Sequence, residues 1–319
     1  MSLSSVLDVL DRLRARWGWP VVVANLVAQI GIVVTGGAVR LTGSGLGCST
    51  WPQCEPGHFT PQIHAAMAIN PLIEFGNRTL TGVLLVIAVV VALLVATDRR
   101  RPRSYRWLAL APLLLVLAQA VLGGIIVIFD LNPAFVGIHL LISMTLVALS
   151  TWLVLRFREG DAPASSLVDA TDRVLVRVLV ALTAIVLALG VVVTGAGPHS
   201  GDENVGYRFA VDPWLMAKVH AAAVWAFLLV LVVLLVRLRR AGATGRLWRT
   251  ALLLLGVALA QGAIGYVQLL TGLPIGLVNL HMLGAALLTA GVASFVWSTR
   301  TRGPATVPAD AVERAATAL

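Results

Sequence analysis

Charge is scarce in this chain. Of its 319 residues 12% are Asp, Glu, Lys or Arg and 58% are hydrophobic, and the mean hydropathy is +0.90. Soluble domains carry about twice that share of charge, so a water-soluble globular fold is excluded and a polytopic membrane protein remains. Alternation of apolar and polar positions is missing too. In lipid only helices and closed barrels satisfy the backbone, and continuous Leu, Val and Ala runs without a period of two select helices. Acidic residues are fewer than basic ones, 15 against 24, giving a net charge of +9. That excess invites a nucleic-acid reading, which its placement excludes: 20 of the 24 bases fall on one side of the spans that follow.

Apolar stretches long enough to cross a bilayer, about 20 residues each, occur eight times. They lie at approximately 20–40, 76–97, 106–129, 133–156, 174–195, 213–237, 247–271 and 274–299. The expected fold class is an all-α membrane protein of eight transmembrane helices in two halves, 20–156 and 174–299. Arg12, Arg14 and Arg16 precede the first span, and arginine groups at 99–106, 156–177, 237–249 and 300–314 share that side. By the positive-inside rule both termini are cytoplasmic. Residues 1–19 then form a cytoplasmic N-terminus, 157–173 a cytoplasmic linker and 300–319 a disordered cytoplasmic tail. The first apolar segment lacks a clear small-x-small cleavage site and reads as a retained helix. Frequent Arg, Ala, Val and Leu have a bacterial look, so the expected location is a bacterial plasma membrane.

The chain also repeats itself. Ala118-Gln119, Gly123 and His139 return 142 positions later as Ala260-Gln261, Gly265 and His281, and Val34-Thr35-Gly36 returns as Val193-Thr194-Gly195. Four helices per half is an even number, so the halves share one orientation and a pseudo-two-fold along the membrane normal is expected. Each half is a four-helix bundle, an architecture that holds cofactors between facing helices. Asn70-Pro71, Asn132-Pro133 and Asp212-Pro213 each place a capping side chain before a helix-opening proline; the eighth span starts at Pro274 without one. Six or seven residues further on come Asn77, His139, His220 and His281. At about 1.5 Å per residue they lie roughly 10 Å below the helix ends, in one layer near the outer face. The first outer loop is the longer one, 41 residues from Gly36 to Asn77 against 25 from Gly195 to His220, and it carries both cysteines.

Histidine inside a span marks function by default. His220 and His281, at matching depth on facing helices, suit the two axial positions of a haem iron; hydrogen bonding to backbone or water in an outer vestibule competes with this. Zinc or copper would need a third or fourth strong ligand at that depth, and none is evident. His139 faces Asn77, a poor iron ligand, so the first half offers one strong axial ligand and one open position. Glu74, Asn77 and Arg78 share a helix face. Glu74 suits proton acceptance, or stabilisation of positive charge at a carbon being oxidised; a plain Glu74–Arg78 helix pair is the alternative. Arg40, Arg78, Arg208 and Lys218 are the outer bases, either partners for haem propionates or interfacial anchors. Cys48 and Cys54, in an oxidising compartment, point to a disulfide rather than a metal site with His58. His58, His64 and His199 read as surface residues.

The string Gly36-Gly37-Ala38-Val39-Arg40-Leu41-Thr42-Gly43-Ser44-Gly45-Leu46-Gly47-Cys48, followed by Trp51-Pro52 and Cys54, resembles the first-loop signature of haem A synthases. The resemblance covers nearly the whole chain. It implies a haem b between His220 and His281, a substrate haem O held by His139, and a role for Glu74 in the chemistry. The family's helix-two motif is Glu-x-x-His-Arg, whereas this chain reads Glu74-Phe75-Gly76-Asn77-Arg78, which leaves His139 to hold the substrate iron alone. The implied reaction turns a methyl group of haem O into a formyl group through an alcohol and a hydrated aldehyde. Molecular oxygen or water supplies the oxygen atom, and an electron donor or acceptor and the enzyme producing haem O are implied partners. Two other classes compete: a membrane cytochrome, with one haem or two, passing electrons between a quinol and a partner, and a parallel-repeat transporter. Glu74 and the unpaired His139 favour the enzyme. Transport folds place their sites at the midplane, whereas the polar residues here gather near the outer surface.

Overall fold

A computed structural model describes residues 3–62, 69–199, 201–202 and 204–302, with side chains from residue 8 onward. Among the described residues eight helices are long and apolar enough to cross a membrane, as the hydropathy required, and this is a multi-pass membrane protein. They are α1 (Leu3–Leu41), α2 (Asn70–Val91, continued by a π-helical turn Ala92–Ala96), α3 (Arg103–Ile128), α4 (Pro133–Phe157), α5 (Ala170–Ala196), α6 (Pro213–Arg240), α7 (Gly245–Leu270) and α8 (Ile275–Ser298). Two three-residue strands, β1 (Ala164–Ser166) and β2 (Arg300–Arg302), pair antiparallel.

The caps follow the sequence at two of three places. Asn132 Oδ1 accepts from Ala134 N at 3.0 Å, and Asp212 Oδ1 from Trp214 N at 2.8 Å, each satisfying an orphan amide of the first turn. Asn70 is the exception. It lies inside α2, whose N-cap Ile69 makes no side-chain bond, and its amide serves the preceding loop instead. At the other ends, Gly242 and Gly272 stop α6 and α7 with φ of 72° and 78°, the left-handed region that glycine enters without a Cβ penalty.

Neighbouring helices pack in chain order within each half, α4 returns to α1, and α5 touches α8. That leaves α2 diagonal to α4, and α6 diagonal to α8. Between the halves, α1, α4 and α8 pack against one another through Val33, Met144, Val147 and Ala286. Small residues let these helices approach: a Cβ on Gly37 would stand 2.7 Å from Met282 Sδ, and one on Gly137 would overlap Val191. The largest buried cluster fills the arginine-rich half of the α5–α8 bundle, around Leu179, Leu231, Leu254 and Phe295. Leu229, Leu253 and Leu270 point outward and exposed, which suits a lipid environment.

Two expectations about the arginine-rich end change. The first helix does not begin near residue 20 but runs through Pro20 from Leu3. Its lower part is anchored by charge rather than hydropathy: Arg14 pairs with Asp11 and bonds Thr97 Oγ1 at 3.2 Å, and Arg100 reaches Asp11 and Asp98. Partial burial raises the Asp98 carboxyl, but hydrogen bonds from Arg100 and the charge of Arg14 outweigh it and hold the group below its usual range. The start of the tail, expected to be disordered from residue 300, instead forms β2 and pairs with β1 of the linker 157–173. Arg156 is buried against Asp161 and the Glu159 and Gly160 carbonyls, and Arg302 forms an ion pair with Glu159 at 3.2 Å. The expected disorder beyond residue 302 lies outside the described residues.

Candidate functional site

The sequence repeat becomes one structural unit built twice. In the second half Gln261 Nε2 donates to the His281 carbonyl at 2.7 Å, and a Cβ on Gly265 would stand 3.1 Å from His281 Cε1. In the first half Gln119 Nε2 donates to the His139 carbonyl at 2.9 Å and to Ser143 Oγ at 2.7 Å, and a Cβ on Gly123 would stand 3.9 Å from His139 Nε2. The glutamine thus fixes the helix turn bearing the histidine, and the glycine opens space for its ring. Sequence reading found the repeated Gln and Gly but gave them no task.

His220 and His281 line one cavity of about 410 Å³, walled by α4 to α8. A backbone oxygen of the preceding helix lies near each ring, that of Val186 for His220 and that of Gln261 for His281. In both, Nδ1 is buried and has no hydrogen-bond partner. A buried polar atom without a partner costs about 1–3 kcal/mol. One ring nitrogen on a carbonyl and the other presenting a lone pair is how metal-ligating histidines are oriented. Gly190 gives His220 the room that Gly265 gives His281; a Cβ there would lie 3.4 Å from His220 Cε1. The volume suits a cofactor-sized group, the lining is mostly apolar, and both imidazoles border the same space. Leu140, Leu141 and Met144 of α4 form part of the wall, directly after His139, so one helix separates the two sites.

In the first half His139 Nε2 lies 3.3 Å from the Gln119 carbonyl. On the diagonal helix Asn77 Oδ1 accepts from Thr35 Oγ1 at 2.8 Å. Thr35 was legible only as part of the repeated Val-Thr-Gly.

Glu74 is buried, and both carboxylate oxygens are engaged. Oε2 accepts from Cys48 N at 2.7 Å, and Oε1 from Arg78 Nε at 3.0 Å. Arg78 also donates to the Thr50 and Gln53 carbonyls at 3.0 and 3.2 Å. Asn70, one turn before Glu74, donates to Gly43 O and accepts from Ser44 Oγ. Asn70, Glu74 and Arg78 form an i, i+4, i+8 stripe along which the outer loop descends. At its foot lies the Cys48–Cys54 disulfide. Trp51 stacks against α3, where a Cβ on Gly124 would meet its ring at 2.6 Å. Neither cysteine has exposed surface, so the folded protein is expected to resist thiol reductants. Differential alkylation with and without denaturant measures this; equal labelling in both would refute the shielding.

The remaining outer bases are placed as follows. Arg40 donates to the Thr194 and His199 carbonyls at 2.8 and 2.9 Å, joining the end of α1 to the loop after α5. Arg208 donates to the carbonyls of Gly197, Pro198, Val205 and Tyr207. Lys218 is exposed and sits two residues before His220, roughly 200° round the helix. His199 Nε2 lies 3.2 Å from the Leu273 carbonyl, His58 is exposed, and His64 lies outside the described residues.

The family of cytochrome oxidase assembly proteins named COX15-CtaA matches residues 18–200, more than half of the chain. Among curated proteins, a Heme A synthase of Alkalihalophilus pseudofirmus is 30% identical over 141 residues, 43% of this chain and 46% of that protein. Its namesake in Bacillus pumilus is 34% identical over 141 residues, 43% and 44% of the two chains. One from Bacillus licheniformis is 24% identical over 202 residues, 62% and 65%. In the first two the matched stretch spans about half of the curated relative's length.

Proposed function

The chain belongs to the COX15-CtaA family of cytochrome oxidase assembly proteins, and from that premise we propose that it is a haem A synthase. Its substrate is haem O, one methyl group of which becomes a formyl group. That change removes four electrons from one carbon and adds one oxygen atom, taken from molecular oxygen or water. The observation that carries the reading is the contrast between the halves. Two imidazoles with unpartnered Nδ1 atoms share one cavity, whereas the equivalent layer of the other half pairs one imidazole with an amide.

The halves are read as parallel repeats about an axis along the membrane normal, supported by the duplicated Gln–Gly–His unit. In the second half His220 and His281 would hold haem b, which would supply one-electron transfer. In the first half His139 would hold the substrate iron, with Asn77 in place of a second histidine. Arg40, bonded to carbonyls of the second half, and Arg208, bonded to carbonyls of its own loop, are preferred as propionate partners to Lys218, which lies about 200° round its helix from His220. Glu74 and Arg78 hold the disulfide loop, and Glu74 is the carboxylate proposed for the chemistry. The arginine distribution supports a reading with both termini in the cytoplasm of a bacterial cell and the disulfide outside. An external electron donor or acceptor and the enzyme that makes haem O are partners on this reading.

The test is haem extraction and chromatography on membranes that contain this protein and a haem O source. Haem A should appear and should be lost with His139→Ala. Bound haem b beside unconverted haem O, under aerobic reducing conditions, would replace the enzyme with an electron-carrying cytochrome.

A further inference from the structure

The repeat supplies a threonine at the same point of each half, and the two hydroxyls are used differently. Thr194 lines the cavity with His220 and His281, and its Oγ1 donates to Gly190 O of its own helix at 2.8 Å. Thr35 Oγ1 lies 3.4 Å from Ile32 O of its own helix but has its shorter contact across to the neighbouring one, donating to Asn77 Oδ1 at 2.8 Å. Asn77 holds the position that His220 holds in the second half. An amide whose oxygen accepts from a hydroxyl presents its Nδ2 hydrogens to the other side, and Nδ2 has no partner among the described residues.

We propose that Thr35 positions Asn77 as a hydrogen-bond donor over the open face of the haem held by His139. That face then takes a small, hydrogen-bond-accepting iron ligand of the azide, hydroxide or dioxygen class. The proposal rests on His139 holding a haem, as read above. Its content is specific to this chain's asparagine: the amide oxygen is committed to Thr35 and does not compete for the iron, so the sixth position stays open but polar. In the second half both positions are filled by imidazoles, and no such ligand enters.

The experiment uses the purified full-length protein loaded with haem b and haem O, titrated with azide in the ferric state and carbon monoxide in the ferrous state. Azide accepts hydrogen bonds well and carbon monoxide poorly, so their ratio reports the donor. The unaltered chain should bind both, in a haem fraction that His139→Ala removes. Asn77→Leu and Thr35→Val should each weaken azide about tenfold, the factor equal to one net hydrogen bond, and change carbon monoxide much less. A purely structural role for Thr35 would not move that ratio. Asn77→His should close the position and abolish both titrations while the haem stays bound. If both ligands bind but neither Asn77→Leu nor Thr35→Val moves the ratio, the donor is refuted and the His139 site stands. If neither ligand binds the loaded protein, or His139→Ala leaves their binding intact, the single-histidine site fails and the proposal fails with it.

Discussion

His220→Ala is expected to remove the bound haem b, and His281→Ala to do the same. The two imidazoles approach one cavity from diagonal helices, each with Nδ1 buried and unpartnered. A haem held by two protein ligands loses a coordinate bond when either is removed, and loss of an outer-shell partner alone lowers metal affinity about 10–100-fold. Removal of a ligand should exceed that, so haem per protein, measured as the pyridine haemochrome after purification, should fall to a small fraction. Gly265→Val offers a graded companion. Its Cβ would press on His281 Cε1 at 3.1 Å and push the ring off axis, shifting the absorption spectrum without deleting a ligand. An unchanged haem content and spectrum in either alanine variant would refute axial ligation by that histidine.

How much of this was legible in the sequence depends on the kind of contact. The eight helices were, because their signal is additive over about 20 residues each. That His220 and His281 come together was legible from their matching depth on two proline-opened helices. The disulfide followed from compartment and pairing of two cysteines. What stayed hidden were contacts between a side chain and a distant backbone. Nothing in residues 48 and 74 announces that the Cys48 amide donates to Glu74, since a backbone amide has no sequence identity. Asn70 misled for a related reason: Asn-Pro is a capping signature, but the same amide can serve a loop folded back onto the helix, and it does. The extension of α1 back to Leu3 was hidden because hydropathy falls where helicity does not. Arg14 reaching Thr97 and Asp11 meeting Arg100 hold that turn by charge.

Glu74→Ala should have the second large effect, and the structure makes it a double one. The carboxylate takes the Cys48 amide on one oxygen and Arg78 on the other. Its removal leaves a buried amide and a guanidinium, the latter with a side chain 20% exposed, bonded only to loop carbonyls. Breaking a buried pair from one side costs about 3–5 kcal/mol, and partial exposure of Arg78 brings this toward the lower end. The disulfide loop should therefore loosen on α2 and Trp51 should leave Gly124. Under mild reductant, Cys48 and Cys54 should become accessible to alkylation at least about tenfold faster, the factor that 1.4 kcal/mol of lost protection gives. Haem A output should fall as well, and Glu74→Gln separates the two causes. Glutamine keeps an acceptor for Cys48 and lacks the carboxylate's charge and proton affinity. A Gln variant with a protected disulfide but no haem A would assign the carboxylate to the chemistry. A Gln variant active while Ala is inactive would assign it to holding the loop. Normal haem A output and a protected disulfide in Glu74→Ala would remove both roles, and would leave the Asn70–Glu74–Arg78 stripe without a functional reason to hold the loop at the depth of Asn77.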